Sequence, residues 1–239
     1  MIFGLCSVHS YSMVTLLAGD CVGRLKGLAD ESVDSFVTDP PYGIELRLKG
    51  SRLRPATILG DGKLEAFKLW QAWLPEAQRV AKPNTAHLVF GSWKSIWMRP
   101  LLEEYFNVKG CIVWDKKCIS LGYWVRPRWE LIWLCHKGKP AKPVKAPADV
   151  WQICRELRPK HPCQKPVELL RQCIRLVSPV GGLIADPFAG IGSTAVAAIA
   201  EDRSFWGCEL DRSFHAMAIR RIADATANRQ CSPHPRVTS

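Results

Sequence analysis

The chain of 239 residues is 47% hydrophobic and 23% charged, which is ordinary for a soluble globular protein and fits one large domain or one domain with an insert. No apolar run reaches the about 18 residues that a membrane-spanning helix needs, which argues against an integral membrane protein. Thirty-three Lys and Arg against 22 Asp and Glu give a net charge of +11. This excess predicts an anionic partner, most often nucleic acid, unless it is only a generic basic surface.

The ten cysteines indicate a reducing compartment. None of them forms a Cys-x-x-Cys pair, which argues against a zinc ribbon, and they lie in apolar stretches where a free thiol acts as a small buried hydrophobe. We therefore expect a cytoplasmic protein without a bound metal. The first residues lack the basic segment of a signal peptide, and Met13 is an alternative start that would make residues 1–12 an N-terminal extension.

Predicted strands and helices alternate along the chain, which favours an α/β fold with a doubly wound, mainly parallel sheet. Up to residue 136, strands are predicted at 14–17, 33–38, 85–90, 109–114 and 130–135, and helices at 21–28, 64–80 and 95–105. After residue 160, strands are predicted at 182–186 and 203–209, and helices at 167–177, 193–200 and 212–225.

One domain is expected over residues 13–226, followed by a flexible tail at 227–239. The proline-rich, basic stretch 137–160 reads as a linker or as part of a short recognition insert around 116–160. Polar residues or glycine lie at the ends of five of the predicted strands, and in such a sheet these positions meet at the edge where ligands bind. They are Asp20, Asp39, Gly91, Asp186 and Glu209.

The sequence Asp39-Pro40-Pro41-Tyr42 places one carboxylate on a rigid turn at the end of a strand. The exocyclic amine of adenine or cytosine is a poor nucleophile because its lone pair is delocalised into the ring. Asp39 could accept one amine hydrogen, the Pro40 carbonyl the other, and Tyr42 offers a face on which a flipped base can stack. The alternative is a strand that ends at prolines beside a surface tyrosine.

A second motif, Asp186-Pro187-Phe188-Ala189-Gly190-Ile191-Gly192-Ser193-Thr194, runs from an apolar strand through a Gly-x-Gly turn into a helix. Glu209 ends the next strand, 209 − 190 = 19 residues after the first glycine, which is the distance at which an acid meets the ribose of a bound nucleoside. A dinucleotide site also fits this pattern, although only one further strand follows the turn. A tight turn without a ligand is the remaining reading.

A third segment, His161-Pro162-Cys163-Gln164-Lys165-Pro166, stands before a predicted helix. Lys165 could reach an anionic group such as an amino-acid carboxylate. Taken alone, however, the segment reads as a helix start with an early proline.

Together the three segments resemble the beta class of S-adenosylmethionine-dependent DNA amino-methyltransferases, in which the catalytic motif precedes the cofactor motif. The resemblance covers about residues 14–223. It implies a Rossmann-like, circularly permuted methyltransferase fold, S-adenosylmethionine as cofactor and double-stranded DNA as partner. The implied catalytic residues are Asp39, Pro40, Pro41 and Tyr42, and the cofactor site is assigned to Asp20, Asp39, Lys165, Asp186, Phe188, Gly190, Gly192, Ser193, Thr194 and Glu209.

Basic residues in two segments are expected to contact DNA. They are Arg47, Lys49, Arg52 and Arg54 in the irregular stretch 44–62, and Arg126 and Arg128 in the aromatic stretch 123–129. The second stretch could read bases or wedge into the duplex, and a surface hairpin is an equal alternative. The region available for target recognition is short.

In this family a catalytic motif that begins with Asp is typical of adenine-N6 enzymes, and one that begins with Ser of cytosine-N4 enzymes. The sequence therefore predicts methylation of adenine N6 in a specific DNA sequence. Cytosine N4, RNA and an inactive DNA-binding relative are the alternatives. The sequence leaves open a homodimer, a cognate restriction endonuclease and a phage origin.

Overall fold

A computed structural model describes residues 13–44, 62–119, 122, 124–156 and 164–231, with only the backbone for residues 230 and 231. The strands are β1 (Val14–Ala18), β2 (Ser35–Thr38), β3 (Thr85–Gly91), β4 (Asn107–Asp115), β5 (Trp129–Lys137), β6 (Val150–Gln152), β7 (Leu183–Asp186) and β8 (Ser204–Glu209). The helices are α1 (Cys21–Leu25), α2 (Lys63–Val80), α3 (Met98–Tyr105), α4 (Val167–Val177), α5 (Ser193–Ala200) and α6 (Arg212–Cys231), with a 3-10 turn at Trp93–Ser95.

The eight strands of the described part of the chain form one sheet in the order β1-β8-β7-β2-β3-β5-β4-β6. Strand β5 pairs antiparallel with both β3 and β4, and the other pairs are parallel. The reversed strand β5 therefore starts at the edge of the sheet where the parallel strands end. This direction brings the first residues of β5 beside the last residues of β3 and β4.

Both faces of the sheet are covered by helices, as the predicted doubly wound arrangement requires. Neighbouring residues of β2 point to opposite sides, so that Phe36 packs with α1, α2 and α3 while Val37 packs with α4 and α5. Helix α2 buries a stripe at helical spacing that includes Trp70, Trp73 and Ala77. The structure thus confirms the predicted fold class.

Several elements differ from the predicted ones. Strand β6 lies within the stretch expected to be a linker, where Trp151 is buried and donates its Nε1–H to the Ala148 carbonyl at 2.8 Å. Helix α6 continues to Cys231, so the first residues of the expected flexible tail are helical. Helix α1 ends at Leu25 rather than residue 28, and helix α3 begins at Met98 after the separate 3-10 turn.

Among the described residues, no helix is both long enough and apolar enough to cross a bilayer. The start of the chain up to residue 12 and the expected N-terminal extension there lie outside the described residues.

Candidate active site

A cavity of about 580 Å³ opens along the edge of the sheet where β1, β8, β7, β2 and β3 end. Its size is in the range of cavities that hold small molecules and cofactors. Most of the residues assigned to catalysis or to the cofactor line this cavity, although they are spread over the chain. They are Asp20, Asp39, Pro40, Pro41, Tyr42, Lys165, Asp186, Phe188, Gly190, Ser193, Thr194 and Glu209.

The turn after β2 is fixed by its neighbours on both sides. The indole Nε1–H of the fully buried Trp70 donates to the Pro41 carbonyl at 3.0 Å. Gly43 has a φ of +67°, and a Cβ there would lie 3.1 Å from Lys63 Cα, so this position favours glycine. The carbonyl of Pro40, which was predicted to act as an acceptor, belongs to this turn, and Pro40 lines the cavity.

The Asp39 carboxylate is held by two donors. Tyr42 donates its hydroxyl to Oδ1 at 2.5 Å, and the Lys165 ammonium donates to Oδ2 at 2.5 Å. The side chain of Asp39 is 23% exposed and that of Lys165 is 8% exposed, so the pair faces the cavity from its wall. Stacking of Tyr42 against a base stays a prediction, and the hydrogen bond of its hydroxyl adds a contact that the sequence did not predict.

Lys165 also contacts a second carboxylate. Its Nζ is 3.3 Å from Glu130 Oε2, and Glu130 Oε1 is 2.6 Å from Lys116 Nζ. Charges of opposite sign therefore alternate along the cavity wall from Asp39 through Lys165 and Glu130 to Lys116. We call these four residues the charge row.

Burial raises the pKa of the Asp39 carboxyl, the Lys165 ammonium lowers it in part, and the nearby Glu130 carboxylate raises it further. Burial also raises the pKa of Glu130, but the ammonium groups of Lys165 and Lys116 outweigh it and hold that pKa below its ordinary value. Glu130 is therefore an anion in the charge row, and proton uptake is easier at Asp39.

The turn after β7 forms the other end of the cavity. Gly190 and Gly192 have φ angles of +53° and +76°, which glycine adopts without strain. A Cβ on Gly192 would lie 3.1 Å from Ala218 Cβ of α6, so this residue allows close packing. Gly192 does not line the cavity, although it was assigned to the cofactor site.

Glu209 is the last residue of β8, and its side chain is hydrogen-bonded to this turn. Its Oε2 accepts from the Gly190 backbone N–H and its Oε1 from that of Asp211, both at 2.8 Å. Burial raises its pKa. Each oxygen keeps a further lone pair that can accept from a ligand hydroxyl. The role of Glu209 as the acid that binds a ribose stays a prediction.

The buried Asp186 connects the two halves of the site. Its Oδ1 accepts from the Thr38 hydroxyl at 2.8 Å and from the Phe188 N–H at 3.1 Å, and its Oδ2 accepts from the Thr194 hydroxyl at 2.7 Å. Burial raises its pKa to about 6. Asp20 is the N-cap of α1 and accepts from the Gly23 N–H at 2.7 Å.

Some predicted residues lie apart from the cavity or outside the described residues. Arg128 donates to both oxygens of Asp115 at 2.6 and 2.7 Å, so its guanidinium already has an anionic partner. Neither Arg126 nor Arg128 lines the cavity, and their contact with DNA stays a prediction. The residues outside the description are Arg47, Lys49, Arg52, Arg54, Tyr123, His161, Pro162 and Cys163.

Four contributors to the site were missed at the level of sequence: Thr38, Trp70, Lys116 and Glu130. The signal for Glu130 was a single acid at the start of an apolar strand. Its use required the direction of β5, which the sequence did not give. Trp70 read as an ordinary core residue of an amphipathic helix.

The sequence was compared with protein-family models and with known proteins, and it matches a family of DNA methylases. A family model described as DNA methylase, N6_N4_Mtase, matches residues 33–220, which include the Asp39 turn, the Gly190 turn and Glu209. YubD of Escherichia coli (strain K12) is 33% identical over 215 residues, which cover 88% of this chain and 91% of YubD. The DNA adenine methyltransferase YhdJ of the same organism is 27% identical, with 87% of this chain and 82% of YhdJ covered.

Solved structures share the fold. The crystal structure of the M1.HpyAVI–SAM complex superimposes with a TM-score of 0.70 at 24% identity and covers 88% of this chain and 99% of its own. The PvuII DNA methyltransferase, described as cytosine-N4-specific, has a TM-score of 0.72 at 17% identity and covers 91% of this chain and 92% of its own.

Proposed function

The chain belongs to the DNA methylase family that the N6_N4_Mtase model describes, and from this membership we propose that it transfers a methyl group from S-adenosylmethionine to the N6 amine of adenine in DNA. The observation that carries the proposal is the shared cavity. Asp39 on its proline turn and Glu209 beside the Gly190 turn line one space of about 580 Å³.

The chemistry of the catalytic turn suits an amine that must become nucleophilic. Asp39 accepts an amine hydrogen through a carboxylate oxygen, and the Pro40 carbonyl accepts the second one. Acceptors that are fixed before the reaction stabilise the positive charge that develops on the nitrogen. The hydrogen bond from Trp70 to Pro41 and the tight packing at Gly43 hold the turn in place.

The other end of the cavity suits a nucleoside cofactor. The Glu209 carboxylate faces the cavity with lone pairs for the ribose hydroxyls, and Phe188 lies beside it with its ring edge-to-face against Trp73, at 5.6 Å between centroids. When bound, S-adenosylmethionine supplies an activated methyl group. Asp20 and Lys165 also line the cavity and offer a carboxylate and an ammonium to the amino-acid part of the cofactor.

Adenine is favoured as the target base because the catalytic motif begins with Asp39, and a relative with this activity in its name, YhdJ, aligns over 87% of this chain. Cytosine N4 is the second candidate, since the PvuII enzyme described as cytosine-N4-specific shares the fold. Both bases present an amine conjugated to a ring, so the same acceptors would serve either one.

The partner we propose is duplex DNA, bound through the excess positive charge of +11. Lys94, Lys116 and Arg155 line the cavity together with the aromatic side chains of Trp93 and Trp129. Cationic and aromatic groups at the mouth fit a base that leaves the duplex and a backbone that stays outside.

The test is to incubate the protein with methyl-labelled S-adenosylmethionine and mixed-sequence duplex DNA, digest the DNA to nucleosides and identify the labelled one. Label in N6-methyl-2′-deoxyadenosine supports the proposal. Label in N4-methyl-2′-deoxycytidine would overturn the assignment of the base and keep the reaction. Absence of label on DNA and RNA, with cofactor binding shown separately, would favour an inactive DNA-binding relative.

A further inference from the structure

We propose that Glu130 is a positioning residue for the methyl transfer, because it gives the Lys165 ammonium a second carboxylate partner when Asp39 turns an oxygen to the target amine. The inference rests on the proposed function and extends it to a residue that no catalytic motif contains. It concerns the charge row of Asp39, Lys165, Glu130 and Lys116.

The position of Glu130 follows from the reversed direction of β5. Because β5 runs antiparallel to β3, its first residues lie at the edge where the parallel strands end. Glu130 is the second residue of β5 and lines the cavity with Asp39 and Lys165. The Lys165 Nζ lies 2.5 Å from Asp39 Oδ2 and 3.3 Å from Glu130 Oε2.

The two contacts of Lys165 differ in geometry. The one with Asp39 is a hydrogen bond, whereas Glu130 Oε2 is buried and has no hydrogen-bond partner among the described residues. The Glu130 oxygen is thus an acceptor within reach of the ammonium that the present arrangement leaves unused. A small shift of the lysine head would exchange one carboxylate for the other.

Binding of the target amine would favour this exchange. Oδ1 of Asp39 accepts from the Tyr42 hydroxyl and Oδ2 from Lys165, and each oxygen keeps a further lone pair for the amine. An amine hydrogen would share the negative charge of Asp39 and so weaken its interaction with the Lys165 ammonium. The Glu130 carboxylate, 3.3 Å from the same ammonium, would then hold Lys165 beside Asp39.

Lys116 fixes the position of the Glu130 carboxylate through an ion pair. Its Nζ is 2.6 Å from Glu130 Oε1, so only the other oxygen faces Lys165. With Lys116 the four charges of the row sum to zero, so the two ammonium groups offset the repulsion between the two carboxylates at the cavity wall. A purely structural role, in which Glu130 only ties β5 to β4, would not involve Lys165.

The experiment is a double-mutant cycle between Glu130→Gln and Lys165→Met, in the full chain, with methyl transfer to duplex DNA as the assay. We expect Glu130→Gln to lower kcat on the order of 10- to 100-fold, the size that loss of positioning produces, and to change the KM for DNA by less than about twofold. In the Lys165→Met background the same substitution should lower kcat by less than about twofold, since Glu130 acts through the lysine.

Glu201→Gln is the matched control. Glu201 is also a largely buried acid held by two cations, Arg171 and Arg175, but it lies away from the cavity, so its loss should leave kcat unchanged. Equal losses from Glu130→Gln in both backgrounds, or none in either, would overturn the proposal. If Glu130→Gln does not fold, Lys116→Met replaces it in the same cycle with the same criterion. Wild-type protein that transfers no methyl group would instead refute the proposed function.

Discussion

The hydroxyl of Thr38 donates a hydrogen bond of 2.8 Å to the Asp186 carboxylate, across 148 residues of sequence. Thr38 is the last residue of β2, directly before the Asp39 turn, and Asp186 is the last residue of β7, directly before the glycine turn. This buried hydrogen bond therefore links the two motifs, in addition to the pairing of β2 with β7.

Replacing Thr38 with Val, which has nearly the same shape, should lower the free energy of unfolding by about 1–3 kcal/mol, because a buried carboxyl loses a donor. It should also raise the pKa of Asp186 above its present value of about 6, since the Thr38 hydrogen bond lowers it. Urea unfolding at neutral pH measures the first effect. Thr226→Val, at an exposed helical position, is the control and should change stability by less than about 0.5 kcal/mol. Equal effects of the two substitutions would contradict the account.

The buried His87 predicts a loss of stability in acid. Its Nδ1 accepts from the Phe36 backbone N–H at 3.1 Å, and burial lowers its pKa from 6.5 to about 3. Between these values the unfolded chain binds a proton that the folded one refuses, so stability is complete above pH 6.5 and falls as the pH decreases towards 3. The slope approaches about 1.4 kcal/mol per pH unit for one such group.

The measurement is urea unfolding from pH 7 to pH 4 for the wild type and for His87→Asn, whose side-chain oxygen can accept from Phe36. The variant should be less stable at pH 7 and less dependent on pH. Asp186 changes stability in the opposite direction. Because its pKa is raised from 3.8 to about 6, it stabilises the folded state at low pH, and this stabilisation is lost as the pH rises to about 6. The difference between the two profiles isolates His87, and parallel profiles would show that His87 does not titrate as described.

Glu209→Gln should weaken binding of S-adenosylmethionine by about 10- to 100-fold, the loss expected when charged hydrogen bonds to a ligand are removed. Calorimetric titration of the folded variant measures this. The control is Glu201→Gln, far from the cavity, which should bind as the wild type does. Unchanged affinity in Glu209→Gln would remove this residue from the cofactor site.

The basic stretch 44–62 is predicted to contribute to binding of duplex DNA through phosphates. The double substitution Arg47→Ala and Lys49→Ala should reduce the slope of log K against log salt by about 2, or about 0.9 for each lost phosphate contact. Arg175→Ala is the control and should leave the slope unchanged, because Arg175 on α4 is already paired with Glu201. An unchanged slope in the double variant would place the DNA contacts elsewhere.

Much of the architecture was accessible from sequence because local patterns determine it. The alternation of strands and helices and the polar residues at strand ends were sufficient to predict that Asp39, Asp186 and Glu209 lie at one edge of the sheet, and all three line the cavity there. Strand β6 was missed because three residues between prolines carry too little periodicity, and Trp151 is buried in a core cluster where the strand pairs with β4.

The charge row was not accessible in the same way. Lys165 was expected at the cofactor, and its contact with Asp39 joins residues that are 126 positions apart in the sequence. Glu130 enters the site only because β5 is reversed, which is a property of the whole sheet. Contacts between residues distant in sequence depend on strand order, and a local pattern does not encode that order.

The most direct test of the account is Asp39→Ala, assayed for methyl transfer to duplex DNA and for binding of S-adenosylmethionine by calorimetry. The account predicts that transfer is lost, by at least about 10³-fold, while cofactor affinity stays within several-fold, because Asp39 acts on the amine of the base. Near-normal turnover in this variant would contradict the role of Asp39. A parallel loss of cofactor binding would show that Asp39 serves the cofactor instead of the base.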